Sequence, residues 1–179
     1  MPRPSLLILI VEDDLHQQFI WRYLRKLGFN AHAIRILKSP SGRGSAEQWV
    51  RARFPIEVET CRRRQAGTKL IVLIDADIHT IHQRLEQLDQ ALGEAEAVAM
   101  NPADLVRLVP KRNIETWILC LNGETVDGEQ DYKRTRDDWT DLVRPAVDTL
   151  HDWTRPNATL PPLCVASLRT GIPELRKLE

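Results

Sequence analysis

The sequence has few of the residues that build cross-links or cofactor motifs. Its three cysteines, Cys61, Cys120 and Cys164, lie far apart, and no CxxC motif occurs. Disulfide-rich domains need more cysteines and zinc sites need closely spaced ones, so this pattern argues against both and predicts reduced thiols in a cytoplasmic protein. The sequence also lacks a GxxxxGK[ST] phosphate-binding loop. Any associated ATPase would therefore be a separate partner protein.

The chain also lacks an excess of either charge and a long apolar segment. Lysine plus arginine and aspartate plus glutamate both number 25, so the formal net charge is zero. Affinity for nucleic acid would therefore need local clusters of basic residues. The apolar run at 6–11 is too short for a membrane span or for the core of a signal peptide. We expect no membrane association, and one domain large enough to bury a core.

Two apolar runs predict buried strands. Residues 6–11 (LLILIV) and 70–74 (LIVLI) are continuously apolar and rich in branched side chains. Such runs suit a parallel sheet that helices cover on both faces. Both runs end in acidic residues, Glu12 after the first and Asp75 after the second. Because ligand sites of open α/β sheets lie at the carboxyl ends of strands, these residues are the first candidates for a functional site.

Helical and extended patterns alternate along the rest of the chain. Apolar spacing predicts helices over 15–27, 78–92, 113–121, 137–153 and 172–178, a short helix that begins at Ser45, strands over 30–37 and 105–109, and a short edge strand over 55–60. This alternation favours an α/β fold, a three-layer Rossmann-like sandwich with a mostly parallel central sheet. We place the α/β core at residues 1–122. Residues 123–179 are predicted to form a helical extension that packs on it.

Glu12, Asp75 and Asp77 are the central candidates for catalysis and metal binding. On an extended strand, residues i and i+2 point the same way, so Asp75 and Asp77 should project together. If the two apolar strands are neighbours, about 4.8 Å apart, Glu12 joins them. Converging carboxylates repel each other and favour a hard cation, Mg²⁺ or Mn²⁺. In the alternative interpretation, Asp77 only caps the following helix.

The order of these motifs resembles the Toprim domain of topoisomerases, primases and overcoming-lysogenisation-defect-type nucleases. The matching pieces are Leu-Ile-Val-Glu12 and Leu-Ile-Asp75-Ala-Asp77. A third piece, Leu-Val-Pro-Lys-Arg-Asn-Ile-Glu115-Thr-Trp117, resembles the small stand-alone Toprim-like proteins of bacterial defence and mobile loci. The resemblance implies a Mg²⁺-dependent nuclease that acts on nucleic acid in phage defence or a mobile element, and it allows for a separate ATPase partner.

The resemblance also implies roles for single residues. Glu12 would be a general acid/base or bridge metals, Asp75 and Asp77 would be metal ligands, and Glu115 would be a further acidic residue at the metal. The family usually has glycine after the glutamate and a second acidic residue four positions after it, where this chain has Asp13 and His16. His16 is interpreted as a softer ligand, a proton carrier or a surface histidine.

A second resemblance leads to a different function. Ile-Leu-Ile-Val-Glu12-Asp13-Asp14 looks like the start of a response-regulator receiver domain, in which an acidic pair binds Mg²⁺ beside an aspartate that accepts phosphate. Asp75 lies farther along the chain than receivers place that aspartate. A receiver-like signalling module and an inactive Toprim scaffold therefore stand as alternatives to the nuclease.

Basic residues supply the predicted contacts to nucleic acid, with DNA as the favoured partner. Arg43 lies in a Gly-Arg-Gly loop that can approach a phosphate closely. Lys111 and Arg112 follow the strand predicted at 105–109, so they can face the same edge as the carboxylates. A further basic cluster spans 133–136. Such residues position phosphates without reading base sequence.

Overall fold

The structure is a computed structural model that describes residues 4–42, 44–64 and 67–179. Over these ranges the strands are β1 (Leu6–Val11), β2 (Ile34–Lys38), β3 (Thr68–Leu73) and β4 (Leu105–Leu108). The helices are α1 (Asp14–Lys26), α2 (Ala46–Arg63), α3 (Ile81–Glu94), α4 (Ile114–Leu121), α5 (Trp139–Thr154) and α6 (Ala166–Arg176). No helix in the described ranges is long and apolar enough to cross a membrane.

The four described strands form one parallel sheet in the order β2-β1-β3-β4. β1 and β3 pair along their full length, with Val11 opposite Leu73, so the two strands end side by side. The chain leaves β1 toward β2 and leaves β3 toward β4, in opposite directions across the sheet. The boundary between β1 and β3 is therefore a topological switch point, where ligands of open α/β sheets bind.

Side chains of the strands alternate between two apolar layers. Leu7 and Leu9 pack with α1, α4, α5 and α6, whereas Ile8 and Ile10 pack with α2 and α3. A parallel sheet needs this cover on both faces, which explains why β1 and β3 read as continuous apolar runs. The prediction of a three-layer α/β sandwich with a parallel sheet is confirmed. Helices α5 and α6, beyond residue 122, contribute to the first layer.

The edge strand predicted at 55–60 is wrong, because these residues belong to helix α2. Val50, Phe54, Val58 and Cys61 recur at helical spacing and are all buried against the sheet. Pro55, the first residue of the predicted strand, lies inside this helix, where a proline removes one backbone hydrogen bond. The apolar face and the need for a long crossover between the parallel strands β2 and β3 outweigh this local penalty.

Helix α6 covers the open edge of the sheet at β4. The backbone N–H of Arg107 donates to Glu174 Oε2 at 2.9 Å, and Lys177 Nζ donates to the Leu105 carbonyl at 3.0 Å. Side chains thereby satisfy backbone groups that a fifth strand would otherwise pair. The structure extends the predicted 172–178 helix at its start, since α6 begins at Ala166.

Trp117 of α4 joins α6 to the core. Its ring is fully buried, and its indole N–H donates to Ser167 Oγ at 2.8 Å. A Cβ atom built on Gly171 would lie 2.6 Å from Cη2 of this ring. Real Cβ atoms do not approach carbon atoms so closely, so Gly171 is needed for α6 to reach the tryptophan.

We therefore predict that Gly171→Ala destabilises the protein. Overpacking of this kind costs about 1–3 kcal/mol, which exceeds the gain in helix propensity. The control is Gly93→Ala in α3, where an added Cβ meets nothing within 4 Å. That variant should be neutral or more stable by up to about 1 kcal/mol. Urea unfolding of both proteins checks the prediction, and equal stabilisation by both substitutions would contradict it.

Candidate metal centre

Three side chains converge where β1 and β3 end. Glu12 follows β1 directly, Asp75 lies two residues past β3, and His16 lies in the first turn of α1. Among the described residues, these three can each offer one ligand atom such that all three atoms lie within 4.8 Å of one another. The group can therefore hold a metal ion, and it lies at the switch point of the sheet.

Local structure sets the positions of these three side chains. The Asp13 carboxylate caps α1 and accepts the backbone N–H of His16 at 2.9 Å, so the helix starts immediately after β1. This early start brings His16 Nε2 to 3.0 Å from Asp75 Oδ1. The backbone N–H of Asp75 donates to Glu12 Oε1 at 2.5 Å. Each residue of the group is thus tied to another.

The group is buried, and part of its hydrogen-bonding capacity is unused. His16 and Asp75 are fully buried, and Glu12 keeps 8% of its surface exposed. Within the described residues, His16 Nδ1 and Asp75 Oδ2 make no hydrogen bond. Asp75 Oδ2 still has an ion-pair partner, because Lys133 Nζ lies 3.3 Å away, whereas His16 Nδ1 has no hydrogen-bond partner in the described ranges, at a cost of about 1–3 kcal/mol. Two carboxylates and one imidazole with ligand atoms this close are a donor set that fits a metal ion.

The burial of this group raises the pKa of both nearby glutamates. Burial, followed by the charge of Asp75, raises the pKa of Glu12 from 4.5 to about 7. Burial, followed by the same charge, raises the pKa of Glu115 from 4.5 to about 7. Glu115 is 6% exposed, and its Oε2 makes no hydrogen bond among the described residues. Glu115 thus lies close enough to sense Asp75 but outside the three-residue group.

The pKa of His16 is raised, although burial of a histidine by itself lowers the pKa. The charge and hydrogen bond of Asp75, together with the charges of Asp13 and Glu12, outweigh the effect of burial and raise the pKa from 6.5 to about 10. These neighbours therefore favour the charged form of His16 in the metal-free protein. It is not the surface histidine that one interpretation of the sequence allowed, since it is fully buried.

Sequence reasoning missed Lys133 as a member of this site. Its Nζ lies 3.3 Å from Asp75 Oδ2, although α3, β4, α4 and a loop separate it from β3 in the chain. Burial opposes its charge, but the charges of Asp75, Glu115 and Glu12 raise its pKa above the ordinary value. The sequence offers no local signal for this contact, because a lysine in a polar loop is normally solvated.

Asp77 lies outside the three-residue group. β3 ends at Leu73, so the alternation that would align Asp75 with Asp77 does not continue. Asp77 has a φ of 52°, its N–H donates to the Arg112 carbonyl at 3.1 Å, and its side chain is 43% exposed. Its role as a metal ligand stays a prediction. It does not cap α3, because Thr80 does so in a capping box with Gln83.

Arg84 holds the turn that contains Asp77. Its side chain is almost fully buried, and its guanidinium donates to Glu47 Oε2 at 2.7 Å. The other end of the same guanidinium lies 3.4 Å from the Ala76 carbonyl and from Asp77 Oδ2. A single buried arginine thus connects the start of α2, helix α3 and the turn that follows β3.

The predicted nucleic-acid contacts lie in different surroundings. Lys111 Nζ donates to the His79 carbonyl at 2.8 Å and pairs with Glu129 at 3.1 Å, so its charge is already partnered. Arg112 is half-buried and has a φ of 67°. Arg43 lies outside the described residues. Their contact with nucleic acid stays a prediction.

A groove leads from the surface to Glu12. It has a volume of about 210 Å³ and lies between the end of β1 and the segment that connects β2 to α2. Glu12, Asp13, Lys38 and Ser39 are among its lining residues. This groove gives a small group a path to the partly exposed carboxylate of the otherwise buried site.

Comparisons of the chain with protein-family models, with curated proteins and with solved structures found no match. The Toprim resemblance therefore depends on the three motifs, and function has to be inferred from the site itself.

The raised pKa of Glu12 predicts a pH-dependent instability of the metal-free protein. Stability linked to this carboxyl is fully present below pH 4.5 and is lost as the pH rises through about 7. Glu12→Gln removes the ionisation, so in EDTA the variant should be more stable than wild type by about 1–3 kcal/mol at pH 8 and little different near pH 4.5.

Thermal and urea unfolding across this pH range check the prediction. Glu94→Gln, the same change at an exposed site in α3, is the control and should show no pH-dependent difference from wild type. A constant stability difference between wild type and Glu12→Gln at all pH values would contradict the proposed origin of the instability.

Proposed function

We propose that this protein is a metal-dependent enzyme that hydrolyses phosphodiester bonds in nucleic acid, with Glu12, His16 and Asp75 as ligands of Mg²⁺ or Mn²⁺. The observation that carries the proposal is the convergence of these three side chains at the β1/β3 switch point, with ligand atoms within 4.8 Å. The Toprim resemblance supports the same chemistry through Glu12 and Asp75, two of its motif residues.

The donor set determines which metals suit the site. Carboxylate oxygens suit Mg²⁺ and Mn²⁺, whereas imidazole nitrogen suits first-row transition metals. One histidine beside two carboxylates is therefore a set that Mn²⁺ fits at least as well as Mg²⁺. A bound divalent cation would polarise a phosphodiester and lower the pKa of a water molecule.

Residues of the chain supply the remaining functions of such an enzyme. Glu12 lines the groove, so its carboxylate would present a metal held there to a small group that enters from the surface. Asp75 orients His16 through the 3.0 Å contact. Lys38 lines the groove and offers a positive charge to a phosphate, although Asp14 pairs with it in the free protein.

The biological setting is proposed from the resemblance alone. Small stand-alone Toprim-like proteins belong to defence and mobile loci, so we place this activity in phage defence or a mobile element. DNA is the favoured substrate. The same resemblance implies a separate ATPase as the partner protein.

The burial of Asp75 favours the nuclease over the receiver alternative. A phosphoacceptor must be reached by a phosphodonor, but Asp75 is fully buried and its two oxygens face His16 and Lys133. A phosphate adduct on Asp75 after incubation with acetyl phosphate, detected by mass spectrometry, would reverse this preference.

We predict that the purified protein cleaves nucleic acid only with a divalent cation. Plasmid DNA, single-stranded DNA and RNA are incubated with Mg²⁺, Mn²⁺ or EDTA. Glu12→Gln and Asp75→Asn should each lower the cleavage rate by about 100-fold or more, because each removes the charge of a proposed metal ligand. Glu94→Gln makes the same chemical change away from the site and should cleave like wild type.

Two results would contradict the proposed enzyme. Cleavage that persists in EDTA, or in both site variants, would show that another protein or another site is responsible. Binding of Mn²⁺ without cleavage of any of the three substrates, alone or with the proposed ATPase partner added, would favour the inactive scaffold.

A further inference from the structure

Lys133 brings a positive charge to the site that the proposed metal would occupy. Its Nζ lies 3.3 Å from Asp75 Oδ2, the oxygen that makes no hydrogen bond among the described residues. Its charge also acts on Glu115, Glu12 and Asp77. A single ammonium group therefore faces the same set of carboxylates that the sequence assigned to a divalent cation.

The other nearby cations are held elsewhere. Lys111 is bound to the His79 carbonyl and Glu129, and Arg84 is bound mainly to Glu47. Among the ion pairs of the described residues, only those of His16 and Lys133 reach Asp75. His16 is itself in the ligand group, so Lys133 is the cation that would compete with a metal ion for Asp75.

The backbone around Lys133 is fixed, whereas its side chain can move. Asp131 Oδ1 accepts both the Lys133 N–H at 2.9 Å and the side-chain amide of Asn113 at 2.7 Å. The indole N–H of the buried Trp139 donates to the Lys133 carbonyl at 3.3 Å. The Lys133 side chain nevertheless remains 39% exposed. The ammonium group can therefore leave Asp75 by a rotamer change, without opening of the loop.

We propose that Lys133 substitutes for the metal ion: its ammonium neutralises Asp75 in the metal-free protein, and an incoming divalent cation must displace it. The inference depends on the metal site of the proposed function. A divalent cation and the Lys133 ammonium at contact distance from Asp75 Oδ2 would repel each other strongly, because Asp75 is fully buried and little water screens the two charges at that end. Lys133 thus stabilises the empty site and raises the metal concentration needed to fill it.

Measurement of Mn²⁺ affinity tests the displacement directly. Isothermal titration calorimetry on Lys133→Met should give a dissociation constant about tenfold lower than that of wild type, since the competing charge is gone. Arg134→Met is the matched control. It removes one positive charge from the adjacent, exposed residue and should change the constant by less than about twofold, because solvent screens that charge.

Thermal unfolding separates displacement from a merely structural role. In EDTA, Lys133→Met should have a lower Tm than wild type, because Asp75 loses its neutralising partner. With saturating Mn²⁺ the two Tm values should coincide, because Lys133 has then already left Asp75. A residue needed only for folding would lower both Tm values and would not tighten metal binding.

The outcomes distinguish this inference from the proposed function. If wild type binds Mn²⁺ and Lys133→Met binds it equally or more weakly, the displacement is disproved and the metal enzyme stands. If wild type binds no Mn²⁺, both are disproved. The same measurements on Lys133→Gln, a neutral polar variant, keep the test valid if the methionine variant does not fold.

Discussion

The buried charge of Asp75 is the constraint on which the whole site depends. A lone carboxylate in the interior is strongly destabilising, and the structure places a partner against each part of this residue. His16 lies 3.0 Å from one oxygen, Lys133 lies 3.3 Å from the other, and the backbone N–H donates to Glu12. The immediate start of α1 and the loop before α5 each bring one of these cations to Asp75.

Backbone strain lies beside this ion network. Asp77 and Arg112 are non-glycine residues with left-handed backbone, and they form an isolated antiparallel β-bridge with each other beside the site. Such strain is typically found at functional sites, and Arg84 helps to hold it here. Polar atoms of His16 and Asp75 also make no hydrogen bond among the described residues. Natural proteins accept such local instability where a site needs it.

The sequence predicts those parts of the fold where a single clear pattern, such as a continuous apolar run, is not opposed by another pattern. Continuous apolar runs located β1 and β3, and their carboxyl ends located Glu12 and Asp75. The prediction failed at 55–60, where Pro55 and the helical face of α2 gave opposing signals. The strand that was expected to align Asp75 with Asp77 ends at Leu73, two residues before Asp75, and nothing local marks that end.

The contacts that His16 and Lys133 make with Asp75 could not be predicted for a different reason. His16 lies 59 residues from Asp75 in the chain, and its contact exists only because α1 starts directly after β1, and β1 pairs with β3. Lys133 depends on the fold of a polar loop, which Asp131 and Asn113 tie to α4. Both cations compensate a charge that the sequence does reveal. A buried carboxylate at a strand end therefore predicts that cations must converge on it, while only the tertiary structure identifies them.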